Sequence, residues 1–164
     1  MTQRKIVIRT ARPGDIGTVH ALVRELADQE GALPMLKLTP ASLRRELFRK
    51  PKRVFCIVAT ANGDVVGMAL WYHTYSVLRG RWLAFVENLI VVPKFRSQGI
   101  GRKLLAHVAD RAIRARCVGL LWLTRMSNRK AISFYKSLAA KQHLGNSQFV
   151  LAGDALLALA AESS

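Results

Sequence analysis

Apolar and polar residues alternate along IVIRTAR, Ile6 to Arg12, the period of a strand with one buried face. The period then lengthens. Pro13 and Asp15 open a helix with Ile16, Val19, Val23, Leu26 and Ala27 along one side, ending near Gly31. GALPMLKLTPASL carries two prolines and reads as a loop, with Thr39 placed to cap a second helix whose apolar face is Leu43, Leu47 and Phe48. VFCIVAT and VVGMALWYHTY flank Asn62-Gly63-Asp64, which predicts a β-hairpin because Asn-Gly readily adopts the positive φ of a tight turn. After a turn at Arg79-Gly80, RWLAFVENLIVV predicts a third strand from about Arg81 to Val92.

Pro93 breaks that run, and RSQGIG, Arg96 to Gly101, leads into an amphipathic helix to about Arg116. Its buried stripe is Ile100, Leu104, Leu105, Val108, Ala112 and Ile113. Arg102, Lys103, His107, Asp110, Arg111 and Arg114 fall outside it. GLLWLTR predicts a buried strand, reached by a crossover expected to be right-handed. Ser127 or Asn128 would cap a helix through about Ala139; QFVLA reads as a last strand, with Asp154 capping a short helix through Ala161. The sum is an α/β protein, a mixed central sheet with a mainly antiparallel N-terminal half, flanked by helices. No linker divides the chain, so one domain over residues 1–164 is expected.

Composition narrows the classes. The two cysteines, Cys56 and Cys117, lie in apolar stretches and read as buried free thiols of a reducing cytosol. The start, MTQRKIVIRTAR, lacks the continuous apolar core of a signal peptide, and no apolar run approaches the roughly 20 residues that span a bilayer. A cytoplasmic protein with no membrane partner is expected. His20, His73, His107 and His143 are scattered without metal-ligand spacing, so no metal is expected. The formal charge of +16, 26 Lys and Arg against 10 Asp and Glu, attracts anions and keeps nucleic acid open as a partner. The basic residues are dispersed, however, with one group from Arg44 to Arg53 and another from Arg111 to Arg116, and a solvated charged surface is the favoured reading.

RSQGIG carries the most chemistry. Its glycines would let backbone approach a ligand, and the first N–H groups of the following helix lack intrahelical acceptors, so the loop suits a pyrophosphate. Local physics leaves two readings open, an anion site or a plain helix start with a glycine turn. The loop is not a P-loop, since Gly101 is followed by Arg102 and Lys103, and not a dinucleotide fingerprint, since Leu104 occupies the third glycine's place.

What remains, R-x-x-G-x-G between strand and helix, resembles the acyl-coenzyme A loop of the GNAT superfamily of N-acetyltransferases. The runs WYHTYSVLRGR, VENLIVVPKFRSQGIG and NRKAISFY resemble its diamine and thialysine acetyltransferase branch, over about Ile6 to Lys141. The resemblance implies acetyl transfer from acetyl-coenzyme A to a primary amine by direct attack within a ternary complex. It implies cofactor contacts from Arg96, Ser97, Gln98, Gly99, Ile100, Gly101 and Arg102, main-chain contacts from Leu89 and Val91, and contacts with the cofactor arm from Asn128 and Ala131. Tyr135 would protonate the departing thiolate, and Glu87, an acid within an apolar strand, would serve as base or acceptor-binding acid. Asn88 and Tyr75 would border the acceptor, with His73 nearby, a satisfied sheet histidine being its favoured reading. The loop between the first two helices borders the acceptor in the superfamily, which makes Glu25, Asp28 and Glu30 candidate amine contacts, with solvated helix acids the favoured reading of each. Members of the branch are commonly homodimers.

The chain departs from the branch at Asn88, where polyamine and diamine enzymes carry a second acid, and at Met126-Ser127, where they show an acidic or aromatic step. With the +16 charge this disfavours a polyamine and favours a monoamine, an amino acid or an amine bearing carboxylate or phosphate. The alternative functions are a protein lysine or N-terminal acetyltransferase, and a non-catalytic module that binds acyl-coenzyme A or nucleic acid.

Overall fold

The computed structural model describes residues 5–142 and 148–163. Strand β1 (Ile6–Thr10) is followed by a 3-10 turn at Pro13–Asp15 and helix α1 (Ile16–Gln29). Helix α2 (Pro40–Phe48) starts where Thr39 caps it: the Thr39 hydroxyl accepts from the Ser42 amide at 3.1 Å, and the Ser42 hydroxyl accepts from the Thr39 amide at 3.0 Å. The hairpin β2 (Val54–Ala61) to β3 (Asp64–Ser76) turns at Asn62 and Gly63, with φ of 53° and 95°. Strand β4 (Arg81–Val91), helix α3 (Ile100–Arg114), β5 (Gly119–Leu123), helix α4 (Arg129–Ser137), β6 (Lys141–Gln142), β7 (Gln148–Ala152) and helix α5 (Asp154–Ala161) complete the order.

The strands are hydrogen-bonded in the order β1-β2-β3-β4-β5-β7-β6. β1 pairs antiparallel to β2, with Ile8 opposite Ala59, and β5 pairs antiparallel to β7, with Leu121 opposite Val150. A parallel step joins β4 to β5, at Ala84 with Leu120 and Phe85 with Leu121. A crossover is needed for such a step, and α3 supplies it. The mixed sheet with an antiparallel beginning matches the expectation.

Backbone contacts sort the chain into two compact units, Met1–Leu70 with Asn88–Leu104, and Trp71–Glu87 with Leu105–Ser164. In the first, Ile16, Val19, Leu22 and Val23 of α1 and Leu43 and Leu47 of α2 pack with Cys56, Val58, Met68, Leu70 and Ile90 from the strands. Burial pushes the Cys56 thiol up to about 12, so it is a packed apolar group with no nucleophilic character. In the second unit, Leu83, Ala84, Leu120, Trp122, Phe149 and Leu151 are buried along the strands, and Leu156 and Leu159 of α5 are buried beside them in sequence. Gly119 is required by close approach: a Cβ there would sit 2.9 Å from the Leu151 carbonyl oxygen.

Three local details differ from the sequence reading. Helix α3 ends at Arg114, two residues early, because Arg116 adopts a φ of 60° and turns the chain. Asp154 is the first residue of α5 and Gly153 holds the cap position, its φ of 61° excluding a helical start. The two-residue β6 was not anticipated; it is too short to leave a pattern.

Candidate functional site

In the first unit, the end of β4 and the loop before α3 form one arrangement. The chain leaves Val91 through a 3-10 turn at Pro93–Phe95, and the Arg96 side chain folds back so that its Nε donates to the Val91 carbonyl at 2.8 Å. Arg96, Ser97, Gln98 and Gly99 are exposed, Gly101 and Arg102 are half-buried, and the Ile100 side chain is buried in the core. Ile100 therefore has only its backbone to offer a ligand. Ser97 and Gly99 take φ of 61° and 76°, and the Gly99 carbonyl accepts the Lys103 amide at 3.0 Å, which starts the helical ladder.

Nothing lies within 4 Å of where a Gly99 Cβ would be, so the glycine answers to its left-handed backbone rather than to a close neighbour. The exposed loop ends at the positive pole of the 15-residue α3, the end of a helix that favours an anion. These residues fit a phosphate-bearing cofactor. Leu89 and Val91 are half-buried on β4, and Asn88 is half-buried ahead of them.

In the second unit, Glu87 is exposed on β4 and accepts a hydrogen bond from the Tyr72 hydroxyl, with Tyr72 Oη 3.2 Å from Glu87 Oε2. The Tyr72 ring stacks on Phe85, centroids 5.2 Å apart and planes 20° from parallel. Burial first, and the neighbouring Glu87 charge and hydrogen bond next, push the Tyr72 phenol above its ordinary value, so it stays protonated and donates. Sequence reading passed over Tyr72 as a site residue. Counting along the strands would not have found it: the turn spans residues 77–80, and equal spacing on either side sets Tyr72 against Phe85, the ring it stacks on, with Glu87 two residues further along β4.

Tyr75 is edge-on to Trp82, centroids 5.3 Å apart. His73 is half-buried, and burial holds its imidazole below the usual range, toward the neutral form. Tyr135, half-buried on α4, packs among Trp122, Phe149 and Phe134, at centroid distances of 5.0, 5.0 and 5.3 Å. Asn128 caps α4 through its Oδ1, which accepts the Ala131 amide at 3.1 Å, so these two residues are joined directly. β4 runs on to Val91 beyond Phe85, the last residue in its register with β5.

Glu25 is engaged by Gln29 on α1, with Gln29 Nε2 at 3.0 Å, and Asp28 and Glu30 are exposed at the end of that helix. His143 lies outside the described residues. Among the described residues no group of three or more His, Cys, Asp or Glu could hold a metal ion, and no helix is long and apolar enough to cross a membrane.

The sequence profile of the Acetyltransferase (GNAT) family matches residues 20–139. The chain is 35% identical over 144 residues to the thialysine N-epsilon-acetyltransferase of Bos taurus, covering 83% of this chain and 84% of that one. It is 28% identical over 142 residues to the aminoalkylphosphonate N-acetyltransferase of Salmonella typhimurium, covering 82% and 84%. Among solved structures, a transcriptional regulator from Bacillus halodurans superposes with a TM-score of 0.71 at 28% identity, over 86% of this chain and 97% of that one. The loop before α3, the order of elements and these relatives agree: this chain belongs to the GNAT family of acetyltransferases.

Proposed function

We propose that the protein transfers an acetyl group from acetyl-coenzyme A to the primary amine of a small molecule that also carries an acidic group, by direct attack in a ternary complex. The observation that carries this reading is Glu87, an exposed carboxylate on a mostly apolar strand, held by the Tyr72 hydroxyl at 3.2 Å. Aliphatic amines are mostly protonated at neutral pH, and Glu87 binds the ammonium and takes up its proton, directly or through water.

Acetyl-coenzyme A, when bound, supplies an activated thioester. The amides of residues 97–102 hold its pyrophosphate, with Arg96 as a nearby cation. The main chain of Leu89 and Val91 aligns the pantetheine arm as an added strand, Asn128 and Ala131 line that arm, and an N–H of the β4 segment polarises the carbonyl. Tyr135 donates a proton to the departing sulfur.

The acceptor class rests on two supports. Relatives are named for thialysine, an amino acid, and for an aminoalkylphosphonate, and both compounds join an amine to an acid. Asn88 leaves one carboxylate where a diamine would use two, and the net charge of +16 favours anionic substrates. Asn88 and Tyr75 border the acceptor in this scheme. The proposal extends to residues 1–164 acting as one catalytic domain, in the cytoplasm, as a homodimer.

The test is release of free coenzyme A from acetyl-coenzyme A with a panel of amines, for wild type, Glu87→Gln and Tyr135→Phe. Turnover with an amino acid or aminophosphonate, falling about 10²- to 10⁴-fold in each variant, is the expected result. Faster acetylation of spermidine than of those acceptors would overturn the acceptor class. Turnover unchanged in either variant would remove that residue from its role.

A further inference from the structure

Tyr72 and Glu87 are joined oxygen to oxygen at 3.2 Å, and the phenol is the only one of the two that can donate. A protonated phenol spends its single hydrogen on the carboxylate and keeps oxygen lone pairs as acceptors. Glu87 keeps a second oxygen, Oε1. Tyr72 Oη and Glu87 Oε1, acceptor atoms on adjacent strands to either side of the Oη–Oε2 hydrogen bond and carrying one negative charge between them, match a group with several N–H donors and one positive charge.

We propose that Tyr72 is a further specificity-determining residue of the acetyl-transfer site: with Glu87 it forms a two-oxygen, single-charge seat for the acceptor's primary ammonium. This rests on Glu87 being the acceptor-binding acid. The seat gives a physical account of the missing second acid at Asn88. A neutral phenol oxygen supplies the second hydrogen-bond acceptor without adding a charge, so one ammonium is satisfied and a second is not attracted.

The Tyr72 hydroxyl also fixes the carboxylate. Stacked on Phe85, the ring cannot swing without losing that contact, so the hydroxyl anchors Oε2 and leaves Oε1 for the amine. Tyr72→Phe keeps the stacked ring and deletes only the oxygen, which makes it the informative variant.

The test is a double-mutant cycle of Tyr72→Phe and Glu87→Gln in steady-state kinetics, with the best acceptor from the amine panel. Tyr72→Phe is expected to raise the acceptor KM about tenfold, the loss of one hydrogen bond to a charged partner, and to leave the acetyl-coenzyme A KM unchanged. In the Glu87→Gln background the same change should cost under threefold, because the two residues act as a unit. Equal losses in both backgrounds, or an unchanged acceptor KM in Tyr72→Phe, would overturn the seat. An unchanged Glu87→Gln enzyme would instead overturn the role of Glu87, so the two failures are distinct. Thermal unfolding of Tyr72→Phe within about a degree of wild type identifies the effect as local.

Discussion

Arg9 grips Asp15 with two nitrogens, Nη1 to Oδ2 at 2.6 Å and Nη2 to Oδ1 at 2.9 Å, and Asp15 Oδ2 also accepts the Arg12 backbone amide at 2.6 Å. Asp15 is 8% exposed, one of the few buried charged groups among the described residues. The pair ties the end of β1 to the start of α1, and the acid sits at the helix's positive end.

These contacts give the first prediction, a pH dependence of stability. The Arg9 hydrogen bonds, outweighing the opposing effect of burial, hold the Asp15 carboxyl below the usual carboxylate range. A carboxyl with a depressed folded pKa leaves the unfolded chain binding more protons at acid pH, so stability rises with pH. The contribution is complete above the unfolded value of about 3.9 and is lost as pH falls through the lower folded value. Asp15→Ala should cost about 2 kcal/mol at pH 7 in urea unfolding, since it leaves Arg9 and the Arg12 amide without their acceptor. The gap between wild type and Asp15→Asn should close as the pH drops below 4; a constant gap would refute the assignment.

Asn128 is expected to do two separable things. Its Oδ1 caps α4, so Asn128→Ala should lower stability by about 1 kcal/mol, and Asn128→Asp or Asn128→Ser should restore it. If Asn128 also lines the cofactor arm, the acetyl-coenzyme A KM will rise in all three variants. A KM that recovers together with stability would assign Asn128 to capping alone.

Gly67 and Gly99 should fail for different reasons when changed to alanine. A Cβ on Gly67 would stand 2.9 Å from the Ile90 carbonyl oxygen, and backbone cannot step aside cheaply, so Gly67→Ala should cost roughly 1–3 kcal/mol. Gly99 has open space but a φ of 76°, so Gly99→Ala should cost about 1 kcal/mol, with Gly99→Asn milder. Urea unfolding of the three variants checks the ranking. Gly99→Ala should additionally weaken acetyl-coenzyme A binding, which Gly67→Ala should not do if its effect is confined to packing.

Much of the fold could be read from short-range chemistry. The Asn62-Gly63 turn, the Thr39 cap with its Ser42 partner and the buried stripe of α3 each depend on residues within four positions of one another. Their reading survived because nothing distant competes for those backbone groups. The cap of α5 shows the limit of such reading. Asp154 has the right chemistry for a cap, yet the chain leaves β7 with a positive φ at Gly153, and that residue takes the cap position.

The candidate site divides along the same line. By itself the sequence determined the elements, the glycine loop and the acid within an apolar strand, because periodicity, turn chemistry and an unusual residue type are written in local order. Only the tertiary structure decided what those residues meet. It placed the Arg96 guanidinium on the Val91 carbonyl, Tyr72 on Glu87, and Tyr135 among Trp122, Phe149 and Phe134. The physical reason is that a side chain's partner follows from strand register, backbone turning and rotamer, which depend on packing summed over many residues and leave no periodic mark in the chain.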